Sequence, residues 1–318
     1  MKLTVQDYAK NGAFVIESFA TEEEVNSMKT RMSDLIEMWN PTQSVDSVFV
    51  TTEKQHIRNS FFLDSAEKIS FFLEEDAIDH ATGLPRTDIP KTELFNKAGH
   101  ALHNLDPVFM KYSFSDKIVN LVRNLGYRDP VLPQSMYIFK QPRIGGVVTS
   151  HQDSSFLHTE PRLSCMGLWL ALDDGDETNG CLWVRPGSHE EPLRRRFVRN
   201  NLYNPEEHGS CPTKFVTIFK DESKWEGTLP GQSSAELRAK GFMPVPVRAG
   251  DLVGIHGSVD HLSLANTSDR PRHSYQLHLV EGPGNGVFWS KDNWLQYRNN
   301  RQFARLSVTH VVASHLGM

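Results

Sequence analysis

The spacing of the apolar residues changes near Val131, and that change restricts the fold more than any other feature of the chain. Before it, the pattern is largely helical. Thr21-Glu22-Glu23-Glu24 has the spacing of a capping box, in which the threonine hydroxyl accepts from the third helical N–H and Glu24 reaches back. Val25, Met28, Met32, Leu35, Ile36 and Trp39 then recur on one helical stripe that Asn40-Pro41 ends. Thr4 and Asp7 frame a shorter helix up to Lys10, and a strand is expected over 13–19. Asp106-Pro107 opens another helix with proline at its first position. Ser115 is placed to cap a further helix whose Ile118, Val119, Val122 and Leu125 share a face, with Gly126 where a left-handed cap belongs. Between these, 69–73 suggests a strand and 79–90 a loop. The stretch 96–103 gathers Lys97, His100 and His103 within seven positions and, on residue types alone, reads as an exposed helical turn.

Beyond Val131 the period becomes that of strands, expected at 131–140, 165–172, 182–185, 243–247, 252–256 and 273–280. Pro142 with Gly145-Gly146, the stretch 173–180, Pro186-Gly187 and Gly250-Asp251 separate them as turns. Helices followed by strands predict a single α+β domain over 1–318, with a helical part at 1–130 and a β core at 131–285 shaped as a sandwich or barrel. A polar stretch at 190–242, punctuated by Pro192, Pro205, Gly209, Pro212, Gly227, Pro230 and Gly231, reads as an insertion. Loops that long are commonly functional, often lids, or else partly disordered. An apolar fraction of 38% is enough for a buried core.

His151-Gln152-Asp153 is the chemical centre of the sequence. On extended backbone, residues i and i+2 point to one face, so an imidazole and a carboxylate can aim at one point while Gln152 turns away. Iron(II) suits two imidazoles and one carboxylate on one triangular face, with three positions left open. His261, 110 residues on (261 − 151), is a candidate for the third ligand, with His256 and His278 as rivals on spacing. An arginine can fork onto a carboxylate through two charge-assisted bonds. Arg272 could therefore hold the far end of a dicarboxylate such as 2-oxoglutarate that chelates iron through its keto-acid end, leaving one position for O₂. Arg270 competes for that role; Arg272 abuts the start of a strand and has the more rigid mount. Ser263 could add a hydroxyl donor on the same side.

These residues belong to an ordered set: His151-Gln152-Asp153, Trp169, Asn179-Gly180-Cys181-Leu182-Trp183, Pro186-Gly187-Ser188-His189, His256-Gly257 and Ser268-Asp269-Arg270-Pro271-Arg272. The set resembles the phytanoyl-CoA dioxygenase family of iron(II)/2-oxoglutarate oxygenases. The likeness spans residues 5–300, weaker at 40–65 and 195–240. It implies a double-stranded β-helix, a cupin-like jelly roll with flanking helices. It implies iron bound by His151, Asp153 and His261, and 2-oxoglutarate held by Arg272, with Lys97, Gln134, Tyr137, Trp169 and Ser263 as neighbours of the co-substrate. Related halogenases replace the carboxylate ligand with a small residue; the presence of Asp153 points to oxygen transfer. The implied reaction is decarboxylation of 2-oxoglutarate to succinate coupled to hydroxylation of a small molecule or acyl chain. Alternatives are a cupin-type metal-dependent hydrolase or isomerase, which needs no dicarboxylate clamp, and a non-catalytic 2-oxoglutarate sensor.

Net charge is 34 − 39 = −5, which gives no general attraction to nucleic acid or anionic membranes, so neither is an expected partner. Cys165, Cys181 and Cys211 form no CxxC and suggest a reducing setting. No signal-peptide pattern opens the chain, no run of about 18 apolar residues occurs, and Ser314–Met318 is not a peroxisomal tail, so a cytoplasmic location is expected. Oligomeric state stays open. Arg194-Arg195-Arg196 with Arg199 read as a solvated charged face, His189 as a structural hydrogen-bonding residue, Cys181 as a small apolar filler, and Phe288-Trp289 and Trp294 as core.

Overall fold

The computed structural model describes residues 3–40, 60–79, 81–82, 84–204, 211–219 and 233–307. The insertion expected at 190–242 falls partly outside them, as do Gly83 of the 79–90 loop and the tail Ser314–Met318.

Two antiparallel sheets carry the fold. Across the larger, the strands run Ala13–Ile16, Leu252–His256, Met166–Ala171, Ser274–Glu281, Pro130–Ile138, Phe95–His100 and Ile69–Leu73, and Ala304–Arg305 adds to Pro130–Ile138. The smaller runs Met243–Val245, Leu182–Val184, His261–Ser263 and Val148–His151. Apart from the consecutive run Ile69–Leu73, Phe95–His100 and Pro130–Ile138, neighbouring strands are far apart in sequence, so long connections join them. Ala13, Trp169, Ala171, Val253 and Ile255 of the larger sheet pack against Leu182, Val184 and Val245 of the smaller in one buried cluster, so the sheets face each other.

The other face of the larger sheet is covered by helices. Thr21 and Glu24 form the expected capping box at the start of the helix Glu22–Met38, a feature worth about 1 kcal/mol. That helix buries Val25, Met28, Met32 and Ile36. They join Phe109, Ile118, Val119 and Val122 against Tyr137, Tyr275 and Leu277 of the sheet. Asp106 caps Pro107–Ser113 by accepting from Val108 and Phe109 N–H. Gly126 adopts φ +94° after the helix Asp116–Asn124, as its cap position requires. Ser115 departs from expectation: its hydroxyl donates back to the Tyr112 carbonyl and caps nothing.

Larger differences lie in two places. The helical part, 1–130, supplies three strands of the larger sheet, two of them expected within 13–19 and at 69–73 and one not. One of these, Phe95–His100, is the stretch that read as an exposed turn; Lys97 and His100 are buried within it. The insertion contains a two-stranded ribbon, Arg195–Arg199 with Thr213–Thr217, and a helix, Ser234–Ala239, that opens on a second capping box from Ser233 and Glu236. No helix among the described residues is long and apolar enough to cross a membrane, and the three cysteines are free.

Candidate metal centre

His151 ends one strand of the smaller sheet and His261 begins the next, and the two are direct cross-strand partners. Their ring centroids are 4.2 Å apart. Each Nδ1 donates to the carbonyl two residues earlier, His151 to Thr149 at 2.8 Å and His261 to Val259 at 3.0 Å. Both Nε2 lone pairs are thereby left for a ligand. They lie 3.4 and 3.6 Å from Asp153 Oδ1. Asp153 itself is not on a strand; it opens the 3-10 turn Asp153–Ser155, and the extended backbone of Gln152 carries it to the same side as His151. Gln152 turns away as expected and is pinned there, donating to the Ser258 carbonyl at 3.0 Å and accepting from the Arg194 N–H at 3.2 Å. One ligand atom from each of His151, Asp153 and His261 lies within 4.8 Å of the others.

The electrostatics suit a cation. Burial opposes ionisation of Asp153, but His261 and His278 outweigh it and hold the carboxyl well below its usual range. Burial pushes His261 down to about 4, so its ring is neutral near pH 7 and its lone pair available. Of the rival ligands, His256 accepts from the Ser258 N–H at 3.1 Å and takes no part. His278 donates through Nε2 to Asp153 Oδ2 at 3.2 Å.

The group opens onto a cavity of about 180 Å³ between the two sheets, also lined by Lys97, Gln134, Trp169, Ser263 and Arg272. Strand register sets its length: the row of His278, Gln134 and Gly167 lies beside the metal group, and Ser274, opposite Ile138, is four residues further along, roughly 13 Å at the rise of a strand. At that far end Arg272 is only 2% exposed. Its guanidinium lies 5.1 Å from the Trp169 ring centroid and donates to Ser274 Oγ at 3.3 Å, while its Nε has no partner. Among the described residues no carboxylate pairs with it. Burial lowers it to about 10, so it stays charged. A buried, unpaired charge is unfavourable by several kcal/mol, and an anion entering the cavity would relieve that. Arg270 is unlike it: half-exposed and paired with Asp176 at 2.6 Å.

Residues 8–274 match the phytanoyl-CoA dioxygenase (PhyH) family. The chain belongs to the phytanoyl-CoA dioxygenase family. It is 43% identical over 289 residues to "Phytanoyl-CoA dioxygenase" of Arabidopsis thaliana, covering 91% of each chain. It is 40% identical over 297 residues to "Phytanoyl-CoA dioxygenase domain-containing protein 1" of Bos taurus, covering 92% of this chain and 93% of that one. Its fold is similar to that of EctD from S. alaskensis with 2-oxoglutarate and 5-hydroxyectoine, at 16% identity and TM-score 0.53 over 88% of this chain and 76% of that one. The epimerase SnoN in complex with Fe3+, alpha ketoglutarate and nogalamycin RO aligns at 16% identity and TM-score 0.56, over 95% and 96% of the two chains.

Of the positions that the phytanoyl-CoA dioxygenase resemblance put beside the co-substrate, all but one line the cavity. The exception is Tyr137. Side chains alternate along a strand, and Pro130–Ile138 points Gln134, Met136 and Ile138 into the cavity. Tyr137 therefore faces the helices, with its hydroxyl 2.8 Å from His273 Nδ1. Gln134 and Trp169 each present a polar atom with no partner, Oε1 and Nε1. Lys97 packs over Phe72 and Phe62, at 5.0 and 5.5 Å, and burial lowers it to about 7. Two charged lining residues, Glu74 and Lys140, escaped sequence reasoning. Both are buried beyond strand ends. Burial, with Arg272 adding, lowers Lys140 to about 7, and burial raises the Glu74 carboxyl.

The cavity's other end is aromatic, lined by Phe62, Phe156, Phe215 and Trp294 with Arg195. Phe156 lies 6.0 Å from the His151 ring, Phe62 4.3 Å from Trp294, and the Arg195 guanidinium 4.2 Å from Phe215. The arginine run is thus no solvated face. Arg194 and Arg185 both donate to Asp260, which is fully buried beside His261. Arg196 donates to Ser290 Oγ at 2.7 Å and Arg199 to the Trp294 carbonyl at 3.0 Å. His189 is structural, bonded to the Ala9 carbonyl, and Cys181 is a buried core residue. Trp294 is buried as expected, whereas Phe288 is exposed.

Proposed function

We propose that this chain is an Fe(II)- and 2-oxoglutarate-dependent dioxygenase that decarboxylates 2-oxoglutarate to succinate and hydroxylates a small-molecule or acyl substrate. The observation that carries this reading is the pairing, in one cavity, of a two-histidine, one-carboxylate group with a buried arginine that lacks an anion. His151, Asp153 and His261 would hold the iron, which when bound supplies the activation of O₂. Arg272 would hold the far carboxylate of 2-oxoglutarate, with Ser263 and Trp169 as further donors and Lys97 as a second cation. The hydrogen bonds from His151 and His261 Nδ1 to backbone carbonyls keep both Nε2 atoms aimed at one point before any ligand arrives. The sheets shield the clamp from water, which strengthens a charge-assisted bond there. The aromatic end would receive the prime substrate and present its C–H bond on the side of His151.

The same reading takes the facing sheets as a double-stranded β-helix with flanking helices in one domain over 1–318. A cytoplasmic setting fits the sparse, free cysteines. A hydrolase or isomerase would have no use for the buried Arg272. The test is succinate release from 2-oxoglutarate by the purified protein with Fe(II) and O₂, before any prime substrate is added. Metal-dependent succinate is the expected result; no turnover, together with no 2-oxoglutarate binding by calorimetry, would sink the proposal.

A further inference from the structure

His278 reads from spacing alone as a rival metal ligand, but its geometry gives it a different task. We infer that His278 is a positioning residue that turns one oxygen of Asp153 toward the metal, seated between Gln134 and Gly167; this rests on the iron reading above.

The inference starts from donors and acceptors. Asp153 Oδ2 lies 3.2 Å from His278 Nε2. An ionised carboxylate only accepts, so Nε2 carries the proton in this bond. On the other side of the ring the Gln134 amide nitrogen, a donor, sits 3.1 Å from Nδ1. Gln134 thereby fixes the tautomer that lets His278 donate. With Oδ2 engaged, Oδ1 is the oxygen that faces His151 and His261 Nε2, at 3.4 and 3.6 Å. The carboxylate is then set to bind through one oxygen and keep the remaining metal positions open.

The sheet makes room for this arrangement. His278 is the direct partner of Gln134 on one side and Gly167 on the other, so three adjacent strands form one seat. A Cβ added at Gly167 would lie 3.2 Å from Asp153 Oδ2 and 3.7 Å from His278 Nε2. The backbone of Gly167 does not demand glycine, since its φ is not positive. What its missing side chain provides is the space in which the carboxylate meets the histidine. All three residues line the cavity, and none supplies an atom to the metal group.

The experiment compares wild type, His278→Leu, His278→Gln and Gly167→Ala by calorimetric titration with Fe(II) under anaerobic conditions. The visible spectrum of the Co(II)-loaded proteins reports on ligand geometry. His278→Leu is expected to lose about 10–100-fold in metal affinity, the range for an outer hydrogen bond to a ligand, and to change the Co(II) spectrum. His278→Gln, whose amide N–H can replace Nε2–H, should recover most of the affinity. Gly167→Ala should shift affinity in the same direction by a smaller factor. A folded His278→Leu protein with wild-type affinity and spectrum overturns the inference. Should that variant fail to fold, unchanged affinity in Gly167→Ala overturns it instead. Wild type that binds no metal defeats the iron reading itself, and this inference with it.

Discussion

The two ends of the cavity are made differently. At the Arg272 end, Arg272, Trp169, Ser263 and Ser274 stand on or directly beside strands of the two sheets, and all four are buried. At the aromatic end, Phe62, Phe156 and Trp294 come from a short helix, a turn and a loop, and Arg195 and Phe215 from a ribbon inside the insertion. A strand-mounted side chain is held by ladder hydrogen bonds on both sides. The ribbon is a lone two-stranded pair whose backbone pairing with the rest of the described residues on its Arg195–Arg199 edge is a single bridge from Val198 to Asn293. On the proposed reading, the clamp would suit a fixed partner, and the aromatic end one that varies while the chemistry stays the same.

The sharpest way to break this division is at its centre. Asp153→Ala should abolish turnover and weaken Fe(II) binding by more than the roughly 10–100-fold that loss of an outer hydrogen bond costs, read by anaerobic calorimetry; bound iron at wild-type affinity would remove the metal group from the division altogether. Next in size, Arg272→Ala should weaken 2-oxoglutarate binding by about 2–5 kcal/mol, or roughly 30-fold and more, while Fe(II) affinity is held. Arg270→Ala, which breaks only a surface pair, should leave both unchanged, and the reverse result would move the clamp to Arg270.

Lys97 lies between the two ends and can be assigned by pH. Burial brings its ammonium to about 7 while Arg272 is lowered only to about 10. Lys97 is therefore charged below pH 7 and neutral above it, and Arg272 is charged throughout. Affinity for 2-oxoglutarate should fall several-fold from pH 6 to pH 8.5, and Lys97→Met should flatten the curve. A flat wild-type curve would place Lys97 with the aromatic end. The smallest effect on the clamp is expected from Phe215→Ala: 2-oxoglutarate affinity within about twofold of wild type, with prime-substrate turnover impaired. A tenfold loss of co-substrate affinity would mean that the ends are not separate.

Legibility in the sequence follows the same division. The strands Leu252–His256 and Ser274–Glu281 pack apolar side chains against a core, and their period was readable. His151, Asp153, His261 and Arg272 could be singled out because few residue types ligate iron or fork onto a carboxylate, and the structure brings all four to one cavity. Phe95–His100 was misread because the side chains it turns to the cavity, Lys97 and His100, are those a surface would carry. The arginine run was misread because the buried partner of Arg194 is Asp260, 66 residues on, which no local pattern reveals. Tyr137 was misplaced by one position, and on a strand one position is the other face. The aromatic end had no signal, since Phe62, Phe156, Phe215 and Trp294 become neighbours only through tertiary packing.

The cross-strand pairing of His261 with His151 has a consequence for how the protein is born. The two histidines are 110 residues apart (261 − 151). At about 5–20 residues per second, a ribosome needs roughly 6–22 s to proceed from one to the other. During that interval the nascent chain carries only His151 and Asp153, a pair with no third corner. On the proposed reading, the three-ligand site is complete only after synthesis has passed His261 and the smaller sheet has closed, so iron loading would follow folding.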